Sequence, residues 1–279
     1  MDAVIEEQPV ELDATAFKSE VKPIWCPGCG DFGVLSALTR ALSALARPPH
    51  EIAVVSGIGC SSRLPAYTTA FGIHSLHGRA LPLATGLKLA RPDLEVIVVG
   101  GDGDGYSIGG NHFLHACRRN VDMLYVVMDN RVYGMTKGQP SPTTEPGWTS
   151  ALSPQGTDVA PLSPLAIAIS AGAGFVARGF SGDPNGLAKL MVEGIQWAGF
   201  ALIEVMSPCV TFRPEQRRWK DAIHVGPEKP YPDPASAAAA LLADDGFGVG
   251  VYYRGQRPMP PERSLPVRTL AQIEQEFRL

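Results

Sequence analysis

A run of glycines and aspartates is the clearest sign of chemistry in this 279-residue chain. Gly101-Asp102-Gly103-Asp104-Gly105 is followed by Asn130, which lies 28 residues after Asp102. A carboxylate and an amide oxygen suit Mg²⁺, which takes about six oxygen ligands and shares them with phosphates. Glycines let backbone N–H groups approach a phosphate, and a helix N-terminus favours an anion. The pattern predicts a magnesium–diphosphate site; an ordinary glycine turn is the alternative, and the dinucleotide fingerprint G-x-G-x-x-G is not matched.

The cysteines form a second group. Cys26 and Cys29 make a C-x-x-C pair, which alone is ambiguous among zinc, a redox dithiol and an iron–sulfur cluster. Cys60 and Cys209 each follow a predicted strand, so four thiolates come from loop positions, as a [4Fe–4S] cluster requires. Zinc sites usually pair two C-x-x-C knuckles, and the chain has one, so the iron–sulfur interpretation is favoured. Cys117, within a predicted helix, is expected to be a buried core residue.

The elements that must position these residues alternate between strand and helix from about residue 51 to residue 206. Apolar runs and helical spacing predict strands at 51–55, 94–99, 123–128, 175–178 and 201–205, and helices from a cap at Asp31 and at 79–90, 108–119, 165–173 and 187–198. This order predicts an α/β fold with a parallel sheet and helices on both faces. Ligands bind at the carboxyl ends of such strands, so segments 57–62, 100–105 and 130–138 are expected to meet at one site.

Composition bounds the class of protein. A net charge of −4 gives no electrostatic footprint for nucleic acid. No apolar run reaches about 18 residues, which argues against a membrane span, and residues 1–24 lack the apolar region of a secretory signal. We therefore expect a cytoplasmic protein. Its regions are predicted to be an N-terminal arm (1–24), a cofactor-binding domain (25–209) and an irregular, proline-rich C-terminal extension (210–279) with a helix near 270–277.

The motifs together resemble a known family over roughly residues 22–225. WCPGCG, GIGCSSRLP, HGRA, GDGDGYSIGGNHFLHACRRN, DNRVYGMTKGQPSPTT and SPC are similar to the β subunits of the 2-oxoacid:ferredoxin oxidoreductases. The resemblance implies a thiamine-diphosphate-binding fold and the oxidative decarboxylation of a 2-oxoacid with coenzyme A, giving an acyl-CoA, CO₂ and reduced ferredoxin. The short SPC segment departs from the longer run that relatives often show, which makes Cys209 the least firmly matched ligand.

The resemblance also implies site residues. Asp102, Asn130 and the backbone carbonyl of Val132 are the expected Mg²⁺ ligands, and Cys26, Cys29, Cys60 and Cys209 the expected ligands of one [4Fe–4S] cluster. The residues expected to contact thiamine diphosphate are Ile58, Gly59, Cys60, Ser61, His77, Gly101, Asp102, Gly103, Asp104, Asn130, Val132, Tyr133, Gly134 and Thr136. His77 is further expected to hydrogen-bond the diphosphate or the developing alkoxide.

The variants GIGCSSRLP, HGRA and TKGQPSPTTE are most similar to the branch that uses 2-oxoglutarate and forms succinyl-CoA. Because 2-oxoglutarate carries a second carboxylate, a paired cation would select it over pyruvate. Arg63 and Lys137, in loops expected to flank the cofactor, are the candidates; a surface cation or a diphosphate contact is the alternative for each. Pyruvate or branched 2-oxoacids, and the reverse reaction that fixes CO₂, remain open.

Partners follow from what the chain lacks. Thiamine enzymes need a carboxylate on the cofactor's pyrimidine ring, supplied by a second homologous domain, and this sequence shows one such domain. We expect an α subunit to provide that Glu and the coenzyme A site in an α₂β₂ assembly. The basic residues Arg213, Arg217, Arg218 and Lys220 are a candidate docking stretch for ferredoxin, or simply a solvated face. The rival classes are a cluster-free thiamine-dependent decarboxylase subunit and a non-enzymatic electron-carrier or zinc module.

Overall fold

The central feature is a mixed sheet, seen in a computed structural model that describes residues 12–261 and 269–276. The strands of this described part are β1 (Ile52–Ser56), β2 (Phe71–His74), β3 (Glu95–Gly101), β4 (Met123–Asp129), β5 (Phe175–Phe180), β6 (Phe200–Met206), β7 (His224–Val225) and β8 (Gly248–Arg254). Their order is β2-β1-β3-β4-β6-β5-β8-β7. The first six strands in this order, from β2 through β1, β3, β4 and β6 to β5, are parallel to their neighbours, whereas β8 is antiparallel to β5.

Helices cover both faces of the sheet. They are α1 (Asp31–Leu45), α2 (Ala80–Ala90), α3 (Gly110–Arg119), α4 (Pro164–Ala171), α5 (Pro184–Ile195), α6 (Trp219–Ala222), α7 (Pro234–Leu242) and α8 (Leu270–Glu276). One apolar core lies under α1 and α5, and a second lies under α2, α3, α4 and α7. This arrangement confirms the predicted α/β fold with helices on both faces of a parallel sheet.

The central strands are mostly apolar because both of their faces are covered. Every residue of β4 and of β6 is buried, including Asp129 and Glu204, which matches the long apolar runs in the sequence. In α1, Val34, Leu38 and Leu42 recur at helical spacing and are at most 1% exposed. Such side chains each contribute about 1.5–3 kcal/mol through burial. The two cores thus hold the strand ends, and the loops that leave them, in fixed positions.

Asp31 does not have its predicted role as a helix cap. Gly30 occupies the cap position and no side chain caps this helix end. Asp31 is instead the first helical residue, it is buried, and its Oδ1 accepts a hydrogen bond from the Ser207 hydroxyl at 2.7 Å. Burial raises the pKa of Asp31 to about 6, although the Ser207 bond acts in the opposite direction. A carboxyl drawn inward by a partner on another loop cannot also reach the free N–H groups of its own helix.

The prediction of an irregular C-terminal extension is corrected. Residues after 209 supply α6, α7 and β7, and β8 extends the main sheet beside β5. The glycine-interrupted sequence of β8 and its place near the edge of the sheet hid it from a search for apolar runs. The predicted terminal helix is present as α8.

The N-terminal arm is attached to the body where it is described. Residues 1–11 lie outside the described part, and from residue 12 the chain packs on the core through Phe17, which has no exposed surface. The backbone N–H of Ser19 donates to the carbonyl of Tyr67. Within residues 12–261 and 269–276, every helix is too short or too polar to cross a bilayer.

Candidate functional site

Four segments meet at the carboxyl edge of the sheet around a cavity of about 230 Å³. They follow β2, β1, β3 and β4, which are consecutive in the sheet, and this adjacency brings distant parts of the sequence together. The cavity is lined by all fourteen residues expected to contact the cofactor and by Met135; the full lining is Ile58, Gly59, Cys60, Ser61, His77, Gly101, Asp102, Gly103, Asp104, Asn130, Val132, Tyr133, Gly134, Met135 and Thr136. We call this space the cofactor cavity.

Asp102 and Asn130 are the first residues after two adjacent parallel strands, β3 and β4. Asp102 is buried, and the Thr143 hydroxyl lies 3.0 Å from its Oδ2 and 2.8 Å from Oδ1 of Asp129. Burial, together with the Asp129 carboxylate, raises the pKa of Asp102 well above its usual value. Among the ion pairs of residues 12–261 and 269–276, none includes either carboxylate. Buried oxygen ligands without a protein cation suit a divalent metal ion.

The wall of the cofactor cavity requires glycine at residue 103. Tyr133 donates its hydroxyl to the carbonyl of Gly103 at 3.2 Å, and its ring lies against the Gly103 α-carbon. A Cβ atom at this position would collide with the ring. The π-helical turn Gly103–Ile108 then leads into α3. Glycine therefore makes room for the Tyr133 ring against the turn that follows β3.

His77 is oriented by Asp104. Its Nδ1 lies 2.8 Å from Oδ1 of Asp104, and the same oxygen accepts the backbone N–H groups of Ile58 (2.9 Å) and Gly78 (2.7 Å). Since the carboxylate accepts, Nδ1 carries the proton and Nε2 is left to serve the cavity that His77 lines. Asp104, which is 3% exposed, therefore fixes both the ring and the loop after β1.

The four cysteines lie around a second, smaller cavity of about 90 Å³, here called the cysteine cavity. It is lined by Ile24, Trp25, Cys26, Cys29, Cys60, Arg63, Asn130, Gly134, Cys209, Val210, Thr211 and Phe212. Within the described residues, no three His, Cys, Asp or Glu side chains are grouped closely enough to share one metal ion. The four thiols line one space from three separate parts of the chain.

Specific contacts hold each cysteine in place. Gly28, with φ of +81°, makes the turn in which the Cys29 N–H donates to the Cys26 carbonyl at 3.0 Å. The indole N–H of Trp25 donates to the Cys60 carbonyl at 2.7 Å. Burial raises the pKa of the Cys29 and Cys209 thiols above the usual value and that of Cys60 to about 11. Such thiols become thiolates when a metal binds them.

Two of the sequence-predicted residues are not among the residues that line the cofactor cavity. Arg63 is exposed and lines the cysteine cavity, and Lys137, with φ of +79°, is exposed on the loop after β4. Arg213, predicted as part of a ferredoxin-docking stretch, is 2% exposed, so this member of the stretch is corrected: it pairs with Glu145 and Glu215. Arg217, Arg218 and Lys220 are exposed.

Sequence reasoning missed several residues that build the site. Trp25 and Thr143 position a cysteine and two carboxylates, and Met135 lines the cofactor cavity. Gln216 is fully buried and contacts the backbone of both Cys209 and Asn130. The motif WCPGCG contained a signal for Trp25, because a buried indole N–H beside a cysteine turn needs a hydrogen-bond acceptor. Cys117 is buried, as expected.

Comparison with known proteins identifies the family. Residues 57–205 match the family described as thiamine pyrophosphate enzyme, C-terminal TPP binding domain. The 2-oxoglutarate oxidoreductase subunit KorB of Mycobacterium tuberculosis is 46% identical over 196 residues, which are 70% of this chain and 52% of that relative, so the match spans about half of the relative's length. The 2-oxoacid:ferredoxin oxidoreductase 2, subunit beta of Aeropyrum pernix is 41% identical over 259 residues, covering 86% of this chain and 82% of the relative.

A solved structure extends this similarity to three dimensions. A chain of the 2-oxoglutarate:ferredoxin oxidoreductase from Magnetococcus marinus, with 2-oxoglutarate, coenzyme A and succinyl-CoA bound, superposes with a TM-score of 0.86 at 39% identity. The superposition covers 96% of this chain and 90% of that one. The fold, the family match and the relatives agree, and the chain belongs to the β subunits of the 2-oxoacid:ferredoxin oxidoreductases, within the thiamine pyrophosphate enzyme family.

Proposed function

We propose that this chain is the β subunit of a 2-oxoglutarate:ferredoxin oxidoreductase. It binds thiamine diphosphate and Mg²⁺ in the cofactor cavity and one [4Fe–4S] cluster in the cysteine cavity. The reaction is the coenzyme A-dependent oxidative decarboxylation of 2-oxoglutarate to succinyl-CoA and CO₂, with two electrons passed singly to ferredoxin. Support for the substrate comes from relatives that carry 2-oxoglutarate in their names.

The observation that carries the proposal is that the two cavities share a wall. Cys60, Asn130 and Gly134 line both of them. A Cβ atom at Gly134 would lie 3.6 Å from the sulfur of Cys209 and 3.8 Å from that of Cys60, which are ordinary van der Waals distances, so both thiols lie beside the loop that lines the cofactor cavity. Two groups bound in cavities that share a wall would lie close together, and electron transfer between an organic cofactor and a metal cluster requires such a short distance.

The residues fit the groups they are proposed to hold. Asp102, Asn130 and the carbonyl of Val132 would hold Mg²⁺, and Cys26, Cys29, Cys60 and Cys209 would hold the cluster. When bound, thiamine diphosphate supplies an electron sink for the loss of CO₂, and the cluster supplies a one-electron acceptor. His77, oriented by Asp104, donates or accepts a proton at Nε2 inside the cavity. Arg63 and Lys137 remain the cations proposed for the second carboxylate of 2-oxoglutarate.

A partner chain completes the site in this proposal. Apolar side chains are exposed near the mouth of the cofactor cavity: Leu76 is 75% exposed, Ile108 51% and Met135 43%. Leu76 precedes His77, and the side chain of Ile108 packs beside Gly78. Exposed apolar groups around a cavity favour cover by protein. We assign that cover to an α subunit, which supplies the catalytic Glu and the coenzyme A site in an α₂β₂ assembly.

The test is anaerobic purification of the tagged chain with its bound partner subunits from the source cells. Thiamine diphosphate, magnesium and iron are measured first, followed by coenzyme A-dependent reduction of ferredoxin with 2-oxoglutarate, pyruvate or a branched 2-oxoacid. We expect about one thiamine diphosphate and four irons per chain, and the highest kcat/KM with 2-oxoglutarate. Asp102→Asn is expected to lower thiamine diphosphate retention at least tenfold, while the exposed Asp93→Asn leaves it unchanged.

Each alternative has its own result. A preparation without thiamine diphosphate overturns the whole proposal. Thiamine diphosphate without iron, together with release of CO₂, supports the cluster-free decarboxylase subunit. Iron and thiamine diphosphate with faster turnover of pyruvate keeps the enzyme class and overturns the assigned substrate.

A further inference from the structure

The side chain of Gln216 contacts one residue of the cofactor cavity, Asn130, and one residue of the cysteine cavity, Cys209. It lies in the short helical turn Pro214–Arg218 and has no exposed surface. Its Nε2 donates to the carbonyl of Asn130 at 2.7 Å, and its Oε1 accepts the backbone N–H of Cys209 at 2.8 Å. The N–H and the oxygen of one buried amide therefore each make a hydrogen bond, one to a proposed magnesium ligand and one to a proposed cluster ligand. A buried amide with both ends satisfied holds its partners in a fixed relation.

The turn around Gln216 also controls the surroundings of the Cys209 sulfur. The backbone N–H of Arg213 donates to the Cys209 carbonyl at 2.8 Å. Gln216 closes the segment by binding the Cys209 N–H. The reduction potential of an iron–sulfur cluster depends on the charges and hydrogen bonds around its ligand sulfurs. By fixing the backbone of Cys209, Gln216 therefore fixes where this sulfur lies relative to its surroundings.

On the Asn130 side, the same amide acts on a proposed magnesium ligand. The side-chain oxygen of Asn130 accepts the N–H of Val132 at 3.1 Å, so the two residues form one turn. Gln216 fixes the backbone of that turn from beneath through the Asn130 carbonyl. Outer contacts of this kind orient metal ligands, and their loss typically weakens metal binding by about 10–100-fold.

We propose that Gln216 is a positioning residue that sets the cluster's reduction potential and the affinity for magnesium–thiamine diphosphate together. This inference rests on the proposed function, because it concerns the same two groups. Gln216 touches neither group and acts through the backbones of Cys209 and Asn130. Two substitutions remove these contacts in different ways: methionine offers neither hydrogen bond, and glutamate keeps the acceptor at Cys209 but places a second acceptor against the Asn130 carbonyl.

The test compares Gln216→Met and Gln216→Glu with wild type in the anaerobically purified complex. The cluster's midpoint potential is measured by electron paramagnetic resonance during a redox titration. The affinity for thiamine diphosphate at saturating Mg²⁺ is measured by calorimetry on complex stripped of both. We expect a changed potential in both variants, because the Cys209 backbone loses its anchor in Gln216→Met, and a more negative one in Gln216→Glu, because a carboxylate then lies beside Cys209. The affinity is expected to fall about tenfold or more in both.

The exposed Gln196→Met is the matched control and is expected to move neither quantity. If Gln216→Met fails to accumulate, Gln216→Glu, which is nearly isosteric, carries the test. An unchanged potential or an unchanged affinity in a folded Gln216 variant, or a more positive potential in Gln216→Glu, overturns the inference. Wild-type complex that lacks iron or thiamine diphosphate overturns the proposed function instead, so the two failures are told apart before any variant is made.

Discussion

The imidazole of His77 and the carboxylate of Asp104 are joined by a 2.8 Å contact between Nδ1 and Oδ1. That single oxygen also accepts backbone N–H groups from residues 58 and 78. The other oxygen, Oδ2, is buried without a hydrogen-bond partner and faces the α-carbon of Gly57. The pair therefore joins the loop after β1, the HGRA segment and the turn after β3 into one unit.

Removing either member of this pair is expected to have nearly the same effect. His77→Ala and Asp104→Asn should each lower kcat/KM for 2-oxoglutarate by about 100-fold, because a group that moves a proton at the reacting centre contributes roughly that much. The double variant should lose little more than His77→Ala alone, since the two act as a unit. Steady-state kinetics on the complex measures this, with the exposed His115→Ala as the control. Fully additive losses would show that Asp104 does not act through His77.

The cysteines are expected to divide into two classes. Serine at Cys26, Cys29, Cys60 or Cys209 should remove most of the iron and the absorbance near 400 nm, because each thiolate would bind one corner of the cluster. Cys117→Ala should keep the full iron content even though Cys117 is buried in the core. Iron analysis of the five variants decides the point. If all four serine variants retain their iron, the cluster of the complex resides on another subunit.

The Arg213–Glu145 pair predicts a pH dependence of stability. Burial disfavours the Glu145 carboxylate, but hydrogen bonds from Arg213 outweigh this and hold the pKa of Glu145 below its usual value. A lowered folded-state pKa means that the pair stabilises the fold at neutral pH and that this contribution disappears as the pH falls through that pKa. Arg213 is itself buried and lies over the Trp148 ring at 4.6 Å.

Chemical unfolding of wild type and Glu145→Gln between pH 7 and about pH 3 measures the contribution. The difference in the free energy of unfolding should be largest at pH 7 and should shrink toward zero at the acid end. Glu228→Gln, an exposed substitution, provides the baseline. A difference that does not change with pH would mean that the charge on Glu145 does not contribute to the fold.

Much of the fold could be predicted because its central strands are buried on both faces. Long apolar runs such as β4 are easily found in the sequence, and their alternation with helices implies a parallel sheet. The edge strands could not be found in this way. β2 has four residues, mostly exposed, and β8 is interrupted by glycine. Their pairing is decided by tertiary contacts and leaves little trace in local sequence.

The candidate site divides along the same line. The residues expected to contact a cofactor have restricted types and lie near the ends of strands, and all fourteen of them line one cavity. Residues that hold those loops, such as Gln216 and Thr143, make their contacts across long sequence separations. Any buried amide or hydroxyl could have served, so their types alone gave no signal. Asp31 shows the opposite case: its type and position predicted a helix cap, but its side chain accepts a hydrogen bond from Ser207, far along the chain.

The position of the four thiols along the chain has a consequence for biosynthesis. Cys26 and Cys29 precede the first helix, whereas Cys209 follows β6, yet all of them line one cavity. A ribosome must therefore finish every parallel strand of β1 to β6 before the last thiol can join the other three. A nascent chain that stops earlier offers an incomplete pocket. Topology thus makes the complete cysteine cavity one of the last parts of the sheet domain to form during synthesis.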